Sequence, residues 1–266
     1  MVTPPTEIIK QLNWKLSSLD EYRRTNYFKL TPSFLFSEFI SRKNREKHFR
    51  EFNEYKDKMK IASLSPQDLF DMEDSRNFSN LHFKELPDLR RFPLMELAIS
   101  NARINGVIAE FGVFRAESLN YIASRYAQKV HGFDSFQGLP EDWNLDHKKG
   151  HFALENSKLP NVRKNVELHV GMFADTVPAF AKVIGNVPLS FLHVDCDLYS
   201  STSEIFRNLE NNIVPGTVIL FDEYYNYPGW RNHEFLAFKE FVERTGLDFN
   251  YIGYNSKWQQ AAVIIK

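Results

Sequence analysis

Two acidic pairs stand at the ends of apolar runs: Asp195 and Asp197 follow Leu192-His193-Val194, and Asp222-Glu223 follows Val218-Ile219-Leu220-Phe221. Carboxylates so placed are costly unless they bind something. In an extended chain residues i and i+2 share a face, so Asp195 and Asp197 are expected to point the same way, with Cys196 opposite. If the two runs are neighbouring parallel strands, all four acids gather at the carboxyl edge of a sheet, where open α/β folds bind ligands. An all-oxygen cluster suits Mg²⁺, Mn²⁺ or Ca²⁺ better than Zn²⁺. Capping of a helix starting near Ser200 would account for the first pair and leave the second unexplained. His193, deeper in its run, reads as a hydrogen-bonded core histidine ahead of a catalytic role, whereas His233 reads as a substrate contact, an alternative base or a helix cap. Tyr224, Tyr225, Tyr227 and Trp230 offer a wall on which a sugar stacks, ordinary core packing or a subunit contact.

A second candidate site lies upstream. Glu110-Phe-Gly112-Val-Phe-Arg115 sits at a strand-to-loop junction before a helix. Gly112 permits close backbone approach, the helix start favours an anionic group, and Ser118 adds a hydroxyl. Asp134 ends the next strand, where an acid commonly binds ribose hydroxyls. No G-x-G-x-x-G follows the first strand, because Ala116 and Glu117 occupy the loop, which argues against a dinucleotide pyrophosphate. No P-loop and no G-x-S-x-G occurs anywhere in the chain.

These residues need elements to position them, and the pattern from Gly106 onward supplies them. Strands are expected at Val107–Phe111, Val130–Phe133, Val166–Val170, Leu189–Val194 and Thr217–Phe221. Helices are expected on Leu119, Ile122, Ala123 and Tyr126, then over Ala174–Ile184, Ser200–Asn212 and Asn232–Arg244, with a hairpin of Phe249–Ile252 and Ala261–Ile265 at the end. Such alternation specifies a mostly parallel sheet with right-handed crossovers, to which the hairpin adds one antiparallel strand at or near an edge. The polar stretch from Pro140 to Asn165 reads as a lid or a static surface loop. Upstream, Ser41 to Lys60 reads as a charged helix with Phe49, Phe52, Tyr55 and Met59 on one face. Its Arg42, Lys43, Arg45, Lys47 and Arg50 alternate with Glu46, Glu51 and Glu54, the pattern of a solvated face. Leu86-Pro87-Asp88 reads as the next helix start.

The 266 residues, 43% apolar and 25% charged, describe a globular chain, and a net charge of −1 recommends neither nucleic acid nor an anionic membrane as a partner. A single cysteine, Cys196, fits a reducing compartment and excludes an internal disulfide framework. No apolar run approaches the roughly 18 residues of a bilayer span, and the start of the chain lacks signal-peptide regions, so a cytoplasmic protein is expected. An aromatic share of 15% points toward a homo-oligomer.

Five motifs in order, Glu110-Phe-Gly-Val-Phe-Arg, Gly132-Phe-Asp-Ser-Phe-Gln-Gly-Leu-Pro-Glu141, Gly171-Met-Phe-Ala-Asp-Thr-Val-Pro178, Asp195-Cys-Asp-Leu-Tyr-Ser-Ser-Thr202 and Phe221-Asp-Glu-Tyr, resemble the macrocin O-methyltransferase family. The resemblance implies a Rossmann-like class I methyltransferase fold over residues 91–266, with a mostly parallel seven-stranded sheet and a C-terminal antiparallel hairpin. Residues 1–90, which the resemblance does not reach, read as a helical N-terminal region that covers the acceptor site or makes a dimer contact. It implies S-adenosylmethionine as cofactor and Mg²⁺ or Mn²⁺ as metal. Glu110, Gly112 and Ser118 would face the methionine part, Asp134 with Ser135 and Phe136 the ribose and adenine, and Gly171 and Phe173 the adenine pocket. Asp195, Asp222 and Glu223 would hold the metal, and Asp197 would be the general base, with His233 its alternative. Two departures stand out: Ala116-Glu117 replaces the family's further glycines, and Glu223 stands where Asp is common.

The function expected is metal-dependent O-methylation of a small hydroxylated acceptor, a sugar or a glycosylated natural product. A catechol or polyphenol acceptor would be served by the same chelation. An oxidoreductase using a nicotinamide cofactor fits Asp134 but lacks the glycines, and a binding protein without turnover would have no need of the acids.

Overall fold

A computed structural model describes residues 65–144, 146–155 and 158–266, so the helix expected at Ser41 to Lys60, with its alternating charges, lies outside the described residues. The first element, α1 (Pro66–His82), starts where local chemistry dictates: Ser65 Oγ accepts from Asp68 N at 3.1 Å, Asp68 Oδ2 accepts from Ser65 N at 2.8 Å, and Pro66 takes the first helical position. The helix α2 (Arg91–Asn101) begins later than Leu86-Pro87-Asp88 suggests. The reason is that Asp88 does not cap it. Its carboxylate accepts from Ser256 N and Oγ, and its backbone bridges Tyr254, so the chain pairs there instead of starting a helix.

From there strands and helices alternate: β1 (Val107–Phe111), α3 (Glu117–Ala123), β2 (Val130–Asp134), β3 (Val166–Val170), α4 (Phe173–Ile184), β4 (Leu189–Val194), α5 (Tyr199–Asn208), β5 (Val218–Phe221), α6 (Glu234–Thr245), β6 (Phe249–Tyr254) and β7 (Ala261–Ile265). The α5 helix gives way at Leu209 to a short 3₁₀ turn, Glu210–Asn212, and α3 stops at Ala123, short of Tyr126. The sheet order is β3-β2-β1-β4-β5-β7-β6. All pairings among β1 to β5 are parallel, and β7 is antiparallel to both β5 and β6. This is the mostly parallel seven-stranded, Rossmann-like sheet expected, with β7 inserted one place in from the edge.

Alternation along β5 shows how the layers form. Ile219 and Phe221 join a core cluster with Val177 and Phe180 of α4, Ile205 and Phe206 of α5, and Phe238 and Phe241 of α6. Val218 and Leu220 face the other way, toward Leu94, Met95 and Ala98 of α2 and Leu119 and Ile122 of α3. Phe78 of α1 enters the first cluster, its ring 4.9 Å from Trp230 and 5.4 Å from Phe83. The order reverses between β2–β1 and β4–β5, which opens a crevice at the carboxyl ends of β1 and β4.

Candidate active site

Gly112 fixes the floor of this crevice. It has φ +93°, and a Cβ there would stand 1.6 Å from the carbonyl oxygen of Asp195. The β1 and β4 exits therefore touch backbone to backbone, and only glycine permits it. In the β1 and β2 exits, Phe114 (φ 47°), Ala116 (φ 62°) and Phe136 (φ 55°) also adopt left-handed conformations. Ala116 thus keeps the turn that a glycine would adopt without cost, so the missing glycine does not abolish the loop geometry. Asp134 organises that loop. Its Oδ2 accepts from Val113 N and Phe114 N at 2.8 Å each, and its Oδ1 accepts from Phe136 N at 2.7 Å. A carboxylate has about four lone-pair directions, so Oδ1 keeps one for a further donor.

Glu110 and His193 lie beneath, both fully buried on the neighbouring strands β1 and β4 and paired in register. His193 Nδ1 is 2.9 Å from Glu110 Oε2, and His193 Nε2 is 3.4 Å from Asp222 Oδ1. Burial pulls the imidazole pKa down, yet the nearby carboxylates of Asp222 and Glu110 outweigh it and raise it to about 10. His193 is therefore hydrogen-bonded to Glu110, whose own carboxyl burial raises, and lies close to Asp222, as expected of a core histidine. The second oxygen of Glu110, Oε1, is buried without a hydrogen-bond partner among the described residues, and Ser118 is buried close by.

Parallel pairing of β4 with β5 sets Val194 beside Phe221, which brings Asp195 and Asp222 together at the edge. The shared face expected of Asp195 and Asp197 does not arise from strand alternation. The strand ends at Val194, and Asp197 has φ +64°, so the chain has already turned. Asp195, Asp197, Asp222 and Glu223 nevertheless sense one another's charge. Burial, then Asp222, pushes Asp195 well above the ordinary carboxylate range, and the same two causes lift Asp197 to about 7. Burial also raises Glu223, aided by the neighbouring acids. Asp222 goes the other way. Burial opposes ionisation, but His193, Arg91 and Gln260 together hold it at about 2.

Sequence reasoning missed three participants. Arg91, at the start of α2, places Nη2 3.4 Å from Asp195 Oδ2 and Nε 3.8 Å from Asp222 Oδ1. Gln260 donates from Nε2 to Asp222 Oδ1 at 2.6 Å. Glu234 is fully buried and accepts from Glu223 N at 3.1 Å, while its Oε1 and Glu223 Oε2 lack hydrogen-bond partners among the described residues. Gln260 could have been found from the antiparallel hairpin, since pairing Phe221 with Ala261 puts residue 260 opposite Asp222. Arg91 and Glu234 look in sequence like ordinary helix-start charges.

The remaining candidates lie around this centre. Gly171 (φ 148°) donates its N–H to Asp134 O at 3.0 Å, and Phe173 sets its ring 5.7 Å from Phe111. Ser135 Oγ accepts from Gln137 N, and Phe136 is buried. His233 precedes α6 without a side-chain cap bond, its ring 6.4 Å from Trp143 and 6.2 Å from Tyr227. Burial lowers its pKa. Tyr224, Tyr225, Tyr227 and Trp230 are all buried in the core, which excludes the exposed stacking wall and leaves packing. Within the stretch from Pro140 to Asn165, Glu141 Oε1 accepts from Ser200 Oγ at 2.6 Å and Trp143 stands 5.8 Å from Tyr227. No helix among the described residues is long and apolar enough to cross a membrane.

Comparison with known proteins agrees with this geometry. The sequence profile of the family described as Macrocin-O-methyltransferase (TylF) matches residues 88–250. A curated relative, the 8-demethyl-8-(2,3-dimethoxy-alpha-L-rhamnosyl)-tetracenomycin-C 4'-O-methyltransferase of Streptomyces olivaceus, is 26% identical over 167 residues, covering 51% of this chain. The chain spans 60% of that relative's length. Among solved structures, the calicheamicin methyltransferase CalS11 superposes with a TM-score of 0.52 at 17% identity, covering 89% of this chain and 94% of its own, which shows a shared fold. With its sheet order, its crevice and a profile match over more than half its length, the chain belongs to the macrocin-O-methyltransferase (TylF) family.

Proposed function

We propose that the protein is an S-adenosylmethionine-dependent O-methyltransferase acting on a hydroxyl of a sugar or another small hydroxylated molecule, with a divalent cation at the acid cluster. The observation that carries this reading is the imbalance of charge in the crevice. Asp195, Asp197, Asp222, Glu223 and Glu234 converge there, with Arg91 and His193 beside them, and most of these acids are pushed toward protonation. Buried carboxylates in excess of their cations cost free energy that a dication would recover. Asp195 and Asp222 bring donor atoms within 4.8 Å of one another and would hold an oxygen-coordinated Mg²⁺ or Mn²⁺, whereas Glu223 is not among the donor atoms so grouped and its buried Oε2 is without a partner among the described residues. His193 Nδ1 is bonded to Glu110, while its Nε2 has no hydrogen-bond partner among the described residues and lies within 4.8 Å of donor atoms of Asp195 and Asp222.

The cofactor residues fit as well. Glu110 Oε1 is a buried acceptor of the kind that receives an ammonium group, and Asp134 holds the β1–α3 loop while keeping one lone pair for a hydroxyl. The sulfonium of the cofactor supplies an already activated methyl group, and a bound cation would lower the pKa of an acceptor hydroxyl and fix its position. Asp197, lifted to about 7, is matched to accept a proton near neutral pH. Glu110 stands on β1, and Asp195, one residue past β4, donates its N–H to Phe111 O at 2.8 Å, which favours precise alignment of acceptor and donor. The name of the curated relative specifies a rhamnosyl-bearing substrate, which supports a sugar hydroxyl as the acceptor class here.

The test is methyl transfer from labelled S-adenosylmethionine to panels of glycosides and catechols, with Mg²⁺ or with EDTA. Label on a glycoside that disappears with EDTA is expected. Label on catechols alone would move the acceptor class, and transfer undiminished by EDTA would remove the metal from the reading.

A further inference from the structure

A second set of ligating side chains stands on the outer part of the sheet, made of residues that the proposed methyl-transfer chemistry does not use. His131 of β2 pairs in register with Glu167 of the edge strand β3, and His169 follows two residues later on the same face. His131 Nδ1 and His169 Nε2 are 2.9 Å apart, and Glu167 Oε1 lies 3.9 Å from His169 Nε2. One donor atom from each of the three lies within 4.8 Å of the others. The rings are held in place. His169 stacks on Phe133 at 4.3 Å with 9° between planes, and Phe180 of α4 stands 4.7 Å from His131 and 5.0 Å from His169. The three line an open cleft of about 620 Å³ beside α4. The 2.9 Å contact between the rings requires a nitrogen lone pair on one of them, and burial favours the neutral form of both.

We propose that His131, Glu167 and His169 bind a transition-series divalent cation, with Zn²⁺ the best match, at a site built from none of the acid-cluster residues. Two imidazoles and one carboxylate suit zinc, cobalt or nickel, whereas Mg²⁺ prefers oxygen alone. The spacing agrees with this. Two nitrogens each ~2.0–2.1 Å from a tetrahedral zinc stand about 3.3 Å apart, so the pair must open by only a few tenths of an ångström. The hydrogen bond between the rings is exchanged for two metal–nitrogen bonds, with the ring protons then on His131 Nε2 and His169 Nδ1. Lys129 Nζ contacts Glu167 Oε2 at 2.5 Å, which turns Oε1 toward the histidines. Three protein ligands leave a fourth position for water or a small ligand from the cleft. The bound ion would tie edge strand β3 to β2, the strand that ends in Asp134.

The experiment is calorimetric titration of the metal-free full chain with Zn²⁺ in excess Mg²⁺, alongside Co²⁺ titration followed by visible absorption. One equivalent of Zn²⁺ and the absorption of four-coordinate, nitrogen-bound Co²⁺ are expected. His169→Gln should weaken binding roughly 100-fold, and Glu167→Gln, at a half-exposed position that spares the fold, about tenfold. Asp222→Asn should leave it unchanged. No zinc uptake, uptake that persists in both His169→Gln and Glu167→Gln, or uptake lost in Asp222→Asn would each overturn the proposal.

Discussion

His193 Nδ1 stands 2.9 Å from Glu110 Oε2, and neither side chain has any exposed surface. This pair ties the strand that leads into the proposed cofactor loop to the strand that leads into the acid cluster. Removing one member leaves the other as an uncompensated buried group, which typically costs 3–5 kcal/mol. Glu110→Gln and His193→Gln should each destabilise by about that amount, and the double variant by clearly less than the sum. Denaturant unfolding of the four proteins in the cycle measures it.

Asp197→Asn should keep cofactor and metal binding while turnover falls ~10²–10⁴-fold, the usual worth of a general base. Binding by calorimetry and single-turnover rates separate the two effects. Full turnover in this variant would remove Asp197 as the base and bring His233 forward.

Gly112→Ala forces a Cβ against the Asp195 carbonyl oxygen at a φ of +93°. A loss of about 2–4 kcal/mol is expected from clash and strain together. Thermal unfolding should show it even with no ligand present, because the contact is between two backbones.

Phe78→Ala tests whether the segment ahead of α2 is part of the folded unit. The ring touches Phe83, Trp230, Phe235 and Tyr251, so its removal should cost ~3–5 kcal/mol. A change within 0.5 kcal/mol would match an exposed site rather than a buried one.

His131 gives a pH signature away from the proposed catalytic centre. Burial, then the neighbouring His169, lowers its pKa to about 4 in the folded chain, against an unfolded value of 6.5. The unfolded chain therefore binds the extra proton first as pH falls. Stability contributed by the neutral ring is present above 6.5 and lost as pH falls from 6.5 toward 4. His131→Gln should flatten that part of the stability profile measured in metal-free buffer.

Much of the fold was legible because strand signals and turn residues coincide. Val107–Phe111, Val166–Val170 and Leu189–Val194 have the same bounds in sequence pattern and structure. The acids were legible as a group because an apolar run that ends in paired carboxylates is unusual. Their mutual arrangement was not, since Asp197 leaves the strand through a left-handed turn that no spacing rule anticipates. Arg91 and Glu234 were hidden for another reason: each sits in the first turn of a helix, where a charge reads as surface, and only tertiary packing turns it inward. Leu86-Pro87-Asp88 misled because Asp88 spends its carboxylate on Ser256, a partner far along the chain.

The most direct test of the central claim is calorimetric titration of the full chain with S-adenosylmethionine, followed by Mg²⁺ titration of the complex, for the natural protein and for Asp222→Asn. The account predicts one cofactor site in both proteins and a one-to-one Mg²⁺ site in the natural protein that Asp222→Asn abolishes. Cofactor binding with no Mg²⁺ site would leave the acid cluster without its proposed cation, and absence of cofactor binding would contradict the methyltransferase reading itself.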